Sequence, residues 1–430
     1  MITPSFLSDR KSELLTFALR PENFSRNRKL DIVKTVGFRI HMAANGNGSG
    51  YAITAQDFFH ELGIGDEAPT KQSACNALKK LSWRAFEYLL GEAQADSIEE
   101  RWHGHRVRIV DGTKLHLPRT PELLEHFEVQ NTSGGLGHYP QAWMVTLINA
   151  RSCQPVAMEL GCHRDPEREL MLKMLHRFQP GDLALLDRGL GGAKVYRDLI
   201  KNDVDFIHRV KTSGDKIPGY AKEFLASRKT SDIAAVPVKD DDGQDLLLMV
   251  RLVRGPKDSE GKRIVFATSL IDEDQYSTQS IRQLYKTRWN IETLYGRVKH
   301  VLEIGKFHSR SLNGILQEIY AHLLVISLTA LIEFQASKKR GLDRERAVPN
   351  FKAATHVVRR HLATIVDAGN LSSRESVELF EKMVEEAGRI LWRKQPGRSY
   401  PRVSRQPIKS WNLCKNRKLA AQSRRRRRQA

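Results

Sequence analysis

Apolar residues recur at helical spacing through the first hundred positions. Leu30, Val33 and Val36 lie on one side of a stretch that opens Phe24-Ser-Arg-Asn-Arg-Lys-Leu30. A Gly/Asn-rich loop over 45–50 follows, then helical runs over 54–62 and 70–90, separated by a turn through Gly63 and Gly65. Helix, glycine turn, helix has the order of a helix-turn-helix, which would expose Lys71, Gln72 and Asn76 for contacts. The same order also suits a plain helical hairpin.

Near residue 105 the period shortens to that of strands. Residues 106–110, 143–149 and 154–160 are β-rich, the last two joined by a turn near Arg151. Pro166, behind Asp165 as cap, predicts a helix start and a run to about Phe178. Residues 183–186 form a short apolar strand that leads into Asp187, 193–201 a helix and 206–210 a strand. The order β-β-β-α-β-α-β predicts an α/β ribonuclease H-like core whose first three strands form a meander.

Residues 211–262 interrupt that plan with a β-rich insertion, its strands at 234–238 and 246–253 turning through Asp242-Gly243, a strong hairpin pair. Asp240, Asp241 and Asp242 read as a solvated tip rather than a metal site. A strand returns over 263–270. A long helix is predicted over 278–302, another over 312–335, and two more between 344 and 392. The apolar run 319–334 contains His322 and Glu333 and is shorter than a membrane span needs, so it reads as a buried helix. The predicted domains are 1–100, helical and DNA-binding; 101–210, the first part of the core; 211–262, the insertion; 263–335, the second part of the core; 336–392, C-terminal helices; and 393–430, a basic tail without apolar periodicity.

Charge narrows the partners. The net charge of +20 calls for a polyanion. Residues 391–430 hold 14 Lys/Arg and no acid, so the remainder keeps +6, and the tail alone cannot define the function. The four cysteines lack CxxC spacing, which excludes zinc-ribbon and dithiol redox chemistry. Few cysteines and no signal pattern at the start point to a cytoplasmic protein with no membrane partner.

Two aspartates stand at the ends of apolar strands: Asp111 in Arg-Ile-Val-Asp-Gly-Thr and Asp187 in Leu-Ala-Leu-Leu-Asp-Arg-Gly. An acid there is costly unless something needs it. Two such carboxylates side by side raise each other's pKa unless a cation neutralises them, as magnesium does with hard oxygen ligands. Either aspartate taken singly is as well explained by a turn cap. On the long helix, Tyr285, Arg288, Glu292 and Lys299 fall on a stripe roughly 60° wide at 100° per residue. Leu284, Ile291, Leu294, Val298 and Leu302 fall on a separate apolar face. A surface helix with an Arg288–Glu292 ion pair is the plain reading, yet such a helix would not also need Tyr285 and Trp289 beside it.

Tyr-x2-Arg-x3-Glu-x6-Lys after Val-Asp-Gly-Thr and Leu-Asp-Arg-Gly resembles the signature of bacterial DDE transposases of the insertion-sequence-four family. The resemblance spans most of the chain, from Phe24–Leu30 through the insertion to Gly305-Lys-Phe-His-Ser-Arg-Ser311. It implies that Asp111, Asp187 and Glu292 are a catalytic triad for two Mg2+ ions, with Mn2+ as a substitute. It implies that Tyr285, Arg288 and Lys299 hold the DNA backbone at an element's end and that Trp289 stacks on a displaced base. It also implies a homodimer on double-stranded DNA that carries terminal inverted repeats, followed by transfer into target DNA. Some relatives place a tryptophan on the insertion; residues 211–270 contain none, and Phe266 is the aromatic substitute considered. His116, His126, His138 and His163 are scattered and receive no catalytic role. A structure-specific nuclease on the same fold and a DNA-binding protein without catalysis are the competing readings.

Overall fold

The computed structural model describes residues 6–394 except 27, 47–49, 66–67, 96–99, 133–134, 215, 259 and 367–371. The chain opens with α1 (Lys11–Thr16), α2 (Ile32–Ala44), α3 (Tyr51–Glu61), α4 (Lys71–Leu78) and α5 (Arg84–Ala95). Asp31 caps α2 through Lys34 N and Thr70 caps α4 through Ser73 N. The single run predicted over 70–90 is two helices. At the break, Ser82 N–H donates to Phe17 O, and the Gln317 side chain donates to the Leu78 and Leu81 carbonyls. Tertiary partners there satisfy backbone groups that a continuous helix would have paired itself.

The middle of the chain builds one nine-stranded sheet. Its elements are β1 (Arg106–His116), α6 (Pro121–Phe127), β2 (Val129–Thr132), β3 (Gly135–Asn149), β4 (Pro155–Cys162), α7 (Glu167–Lys173), β5 (Asp182–Leu186), α8 (Ala193–Lys201), β6 (Asp205–Val210), α9 (Gly219–Ala226), β7 (Ser231–Lys239), β8 (Asp245–Lys257) and β9 (Arg263–Thr268). The spatial order is β4-β3-β1-β5-β6-β9-β8-β7, with β2 also on β3. The pairs β1–β3 and β3–β4 are antiparallel, β1–β5 and β5–β6 parallel, and β6–β9, β9–β8 and β8–β7 antiparallel. The predicted meander and the two strands that follow it are present. The insertion strands do not stand apart; they extend the same sheet.

Some sequence expectations change. Asp111 does not end its strand, which continues to His116 because Asp111 to His116 keep pairing with β3. Pro166 is the cap residue of α7 rather than its first helical residue, and Asp165 accepts from Cys162 N instead of capping. The helix predicted to Phe178 stops at Lys173 and passes into a 3-10 turn over Leu175–Arg177. Helices α6 and α9 and strand β2, too short and polar for a periodic signal, were not anticipated.

The C-terminal part contains α10 (Thr278–Tyr285), a 3-10 turn (Lys286–Trp289), α11 (Asn290–Gly296), a π turn (Arg297–Val301), α12 (Leu312–Lys339), β10 (Ala347–Pro349), α13 (Phe351–Val366), α14 (Ser373–Gly388) and β11 (Leu391–Arg393). Helix α12 is long and apolar enough to cross a membrane by length and composition, but its apolar window is 94% buried inside the protein. It packs on α2, α5, α13 and α14. Arg393 pairs with Ala347 in β11, so the predicted tail begins after it; residues 395–430 lie outside the described residues.

Two apolar layers sandwich the sheet. One contains Ile109 and Leu185 with α2, α5, α11 and α12; the other contains Val110 and Leu186 with α7, α8 and α9. Period-two alternation along β1 and β5 sends neighbouring residues to opposite layers.

Candidate active site where two parallel strands part

Parallel pairing between β1 and β5 runs from Arg106↔Asp182 to Val110↔Leu186 and then stops. Asp111 and Asp187 are the next residue on each strand. Ile109 and Leu185 face the α11 layer, so two-residue alternation puts Asp111 and Asp187 on that face, side by side. The predicted juxtaposition therefore comes from register, at the point where the strands separate.

Glu292 reaches this point from above. The helix predicted over 278–302 is continuous in path but changes winding twice, tighter over Lys286–Trp289 and wider over Arg297–Val301. The two changes act in opposite senses, and the stripe survives as contacts to β1 and to the end of β5. Tyr285 Oη donates to Leu186 O at 3.0 Å, Arg288 Nη1 lies 3.8 Å from Asp111 Oδ2, and the Lys299 ammonium donates to the Thr113 hydroxyl. Ile291, Leu294, Val298 and Leu302 are buried as the pattern required. Tyr295, which sequence reasoning passed over, donates its hydroxyl to Asp111 O.

Arg288 is the electrostatic centre. Its side chain is almost wholly buried, and Nη2 also bonds Glu292 Oε1 at 3.2 Å. One guanidinium thus bridges Asp111 and Glu292. Burial nevertheless pushes the Asp111 carboxyl up to about 6; the charges of Asp187 and Glu292 add to this, while the Gly112 N–H and Arg288 oppose it. Among the described residues, the one trio of His, Cys, Asp or Glu with ligand atoms all within 4.8 Å is Glu128, Cys162 and His163, which shares no residue with this site. Asp111, Asp187 and Glu292 are set wider than that, around Arg288.

The resemblance assigned Tyr285 and Arg288 to DNA, yet neither faces solvent here. Tyr285 is 8% exposed with its hydroxyl used by Leu186 O, and Arg288 is 5% exposed. Lys299 and Trp289 are exposed, Trp289 at 57% with the Arg288 guanidinium 5.4 Å from its ring centroid. Phe266 is buried against the Tyr285 ring at 4.6 Å and cannot take the place of an exposed tryptophan. Beside Trp289 a cavity of about 1040 Å³ opens between the helix and the insertion strands, with exposed Arg188, Lys262, Arg263 and Lys286 on its walls. Single surface cations carry no periodic signal, so the sequence did not reveal this basic groove.

Residues 102–328, more than half of the chain, match the family model described as "Transposase DDE domain", and the match includes Asp111, Asp187 and Glu292. The chain belongs to the transposase DDE domain family. It is 25% identical over 256 residues to the transposase InsG for insertion sequence element IS4 of Escherichia coli, an alignment that covers 53% of this chain. The chain spans about half the length of that curated relative, at 52%. In fold it is similar to the piggyBac transposase in a cryo-EM synaptic complex with hairpin DNA, at a TM-score of 0.50 and 12% identity, covering 89% of this chain and 85% of the other. A mixed sheet between helical layers is therefore common to this member of the DDE family and that structure.

A fourth carboxylate, missed from the sequence, lies at the same place. Glu167 is the first residue of α7, and its Oε1 stands 2.0 Å from where a Cβ on Gly112 would be. Burial, then the charges of Asp111 and Asp187, raise its pKa. Nothing in the sequence separates it from any other glutamate in a first helical turn.

Proposed function

We propose that this member of the transposase DDE domain family is a DNA transposase: it cuts DNA at the ends of a mobile element and joins the freed ends to target DNA. The observation that carries the reading is the register that puts Asp111 and Asp187 on neighbouring parallel strands beneath Glu292. The strand order β4-β3-β1-β5-β6, three antiparallel then two parallel, supports a ribonuclease H-like core.

The donor set fits divalent cations. Hard carboxylate oxygens surround a half-buried place where one of them, Asp111, is raised toward neutrality by burial and by the charges of Asp187 and Glu292. Asp111, Asp187 and Glu292 would hold two Mg2+ ions, or Mn2+ in their stead. Such ions, when bound, activate the attacking hydroxyl and stabilise the leaving oxygen of an in-line phosphoryl displacement. The chain's own groups do the rest. Tyr285 and Tyr295 tie the helix to the end of β5 and to the middle of β1 through the Leu186 and Asp111 carbonyls, and so fix where Glu292 stands. Arg288 supplies counter-charge between Asp111 and Glu292. Lys299 and the basic groove beside Trp289 bind backbone, and Trp289 offers an exposed ring for a displaced base.

Residues 1–100 serve as a DNA-binding segment, supported by the α3–glycine turn–α4 order and by exposed Lys71, Gln72 and Asn76. Residues 211–262 act as the insertion that walls the groove, and 336–392 buttress α12. The partner is double-stranded DNA with terminal inverted repeats, bound by a homodimer in the bacterial cytoplasm.

A cutting assay tests the reading, with Mg2+ and duplexes from the DNA that flanks the gene. The full chain should give cut and joined products. Asp111→Ala should give neither and still bind the duplex. Cleavage by that variant would refute the triad; cut products alone from the unaltered chain would make the protein a nuclease.

A further inference from the structure

Helices α7 and α11 lie on opposite faces of the sheet, Leu170 and Met171 of α7 in one apolar layer, Ile291 and Leu294 of α11 in the other. Carboxylates from opposite faces of a continuous sheet are separated by the strands between them. This pair is not, because β1 and β5 stop pairing after Val110↔Leu186. Through that opening Glu167 comes up from the α7 side to the place that Glu292 approaches from above.

One glycine makes the approach sterically open. Gly112 follows Asp111, and a Cβ there would lie 2.0 Å from Glu167 Oε1 and 2.8 Å from its Cδ, a separation no pair of atoms tolerates. Gly189 lies two residues beyond Asp187, and a Cβ there would meet Glu167 Oε2 at 4.0 Å. One carboxylate therefore lies beside residues just beyond both Asp111 and Asp187. The Gly112 N–H, which donates to Asp111 Oδ1 at 3.0 Å, also acts on Glu167, so the two carboxylates share a neighbourhood. Among the described residues no Lys or Arg stands at ion-pair distance from Glu167, and Lys114 acts on it only from farther off, whereas Glu169 on the same helix pairs with Lys194. A half-buried acid aimed at two other acids needs a cation.

We propose that Glu167 supplies a fourth carboxylate to the divalent-cation site, entering from the face of the sheet opposite Glu292. The proposal rests on the reading above that Asp111, Asp187 and Glu292 hold divalent ions. Its function is to hold an ion or its bound water in the opening between the strands, and the absence of a side chain at 112 is a requirement of that role.

Two measurements on the full chain, neither of them DNA cleavage, test it. In the first, Fe2+ replaces Mg2+, and ascorbate with peroxide cuts the polypeptide beside the bound iron. Cuts are expected near 111, 187 and 292 and also near 167. Cuts at the first three without the fourth would overturn the proposal; no cuts at any of them would overturn the underlying site reading as well. In the second, Mn2+ is titrated by calorimetry. Glu167→Gln is expected to weaken Mn2+ binding by about tenfold or more. Gly112→Ala should weaken it as much, because its methyl group evicts the carboxylate. Glu167→Asp, one methylene shorter, should fall between and serves if Glu167→Gln does not fold. Unchanged affinity in the Glu167 variants, with loss in Asp111→Asn, would overturn the role of Glu167. Unchanged affinity in Asp111→Asn would overturn the site reading itself.

Discussion

At the residue scale, Arg288 is a buried cation whose cost is met by two carboxylates. Removing it leaves Asp111 and Glu292 facing each other with Asp187 close by. Arg288→Ala should therefore destabilise the metal-free protein by about 2–4 kcal/mol, below the full cost of breaking a buried pair because Glu292 is 39% exposed. Added Mg2+ should return part of that loss, and thermal unfolding with and without Mg2+ reads both effects. A loss that Mg2+ leaves unchanged would mean that Arg288 and the ions do not neutralise the same carboxylates. The residues that the resemblance assigns to the DNA backbone also divide. Lys299→Ala should lower the salt slope of DNA binding by about one phosphate's worth. Arg288→Ala should leave that slope unchanged in the absence of metal, since Arg288 is buried. Tyr285→Phe should cost about 1–2 kcal/mol in urea unfolding, because it strips the Leu186 carbonyl of its donor in a buried place.

At the scale of elements, α12 is the beam on which the N-terminal helices rest, and its polar joint is Glu318. Glu318 and Arg39 of α2 are each 2% exposed in the side chain and lie 3.3 Å apart; the backbone N–H groups of His308 and Ser309 donate to the same carboxylate at 3.1 and 2.7 Å. Burial would raise the Glu318 pKa, but the hydrogen bonds from His308 and Ser309 and the charge of Arg39 outweigh it and bring it to about 2. A carboxyl depressed in the folded state binds its proton more readily when unfolded. Its contribution is thus complete above the ordinary value of 4.5 and is lost as pH falls from there toward 2. Acid unfolding followed by circular dichroism should show a loss across that window, and Glu318→Gln should flatten it. The segment 305–311 that carried the family resemblance is held through this joint to α12 and α2.

At the scale of the whole molecule, charge governs encounter with DNA. Residues 395–430 carry 12 Lys/Arg and no acid, including five consecutive arginines from Arg424 to Arg428. Such a run releases counterions on DNA without reading bases. Deleting 395–430, which spares the β11 pairing of Arg393, should weaken binding to random duplex strongly at low salt. Discrimination between element ends and random DNA should be unchanged or better. Titration of both forms against both duplexes at two salt concentrations decides it: equal affinity for random DNA would leave the tail without a role, and lost discrimination would mean that the tail reads sequence.

The sequence by itself determined what local chemistry determines. Apolar runs and their period located β1, β5, α12 and the strand meander, and the spacing of Tyr285, Arg288, Glu292 and Lys299 was legible because a helix turns at a nearly constant angle. Only the tertiary structure decided how these meet. The 3-10 and π turns within the glutamate helix, the split of 70–90 into two helices and the run of β1 past Asp111 all answer to partners distant in the chain. Whether a side chain such as Arg288 faces DNA or a carboxylate depends on which strand lies beneath it, and a helical stripe does not encode that. Glu167 became visible only when Gly112, silent in sequence, was seen to leave room for a carboxylate from the far side of the sheet.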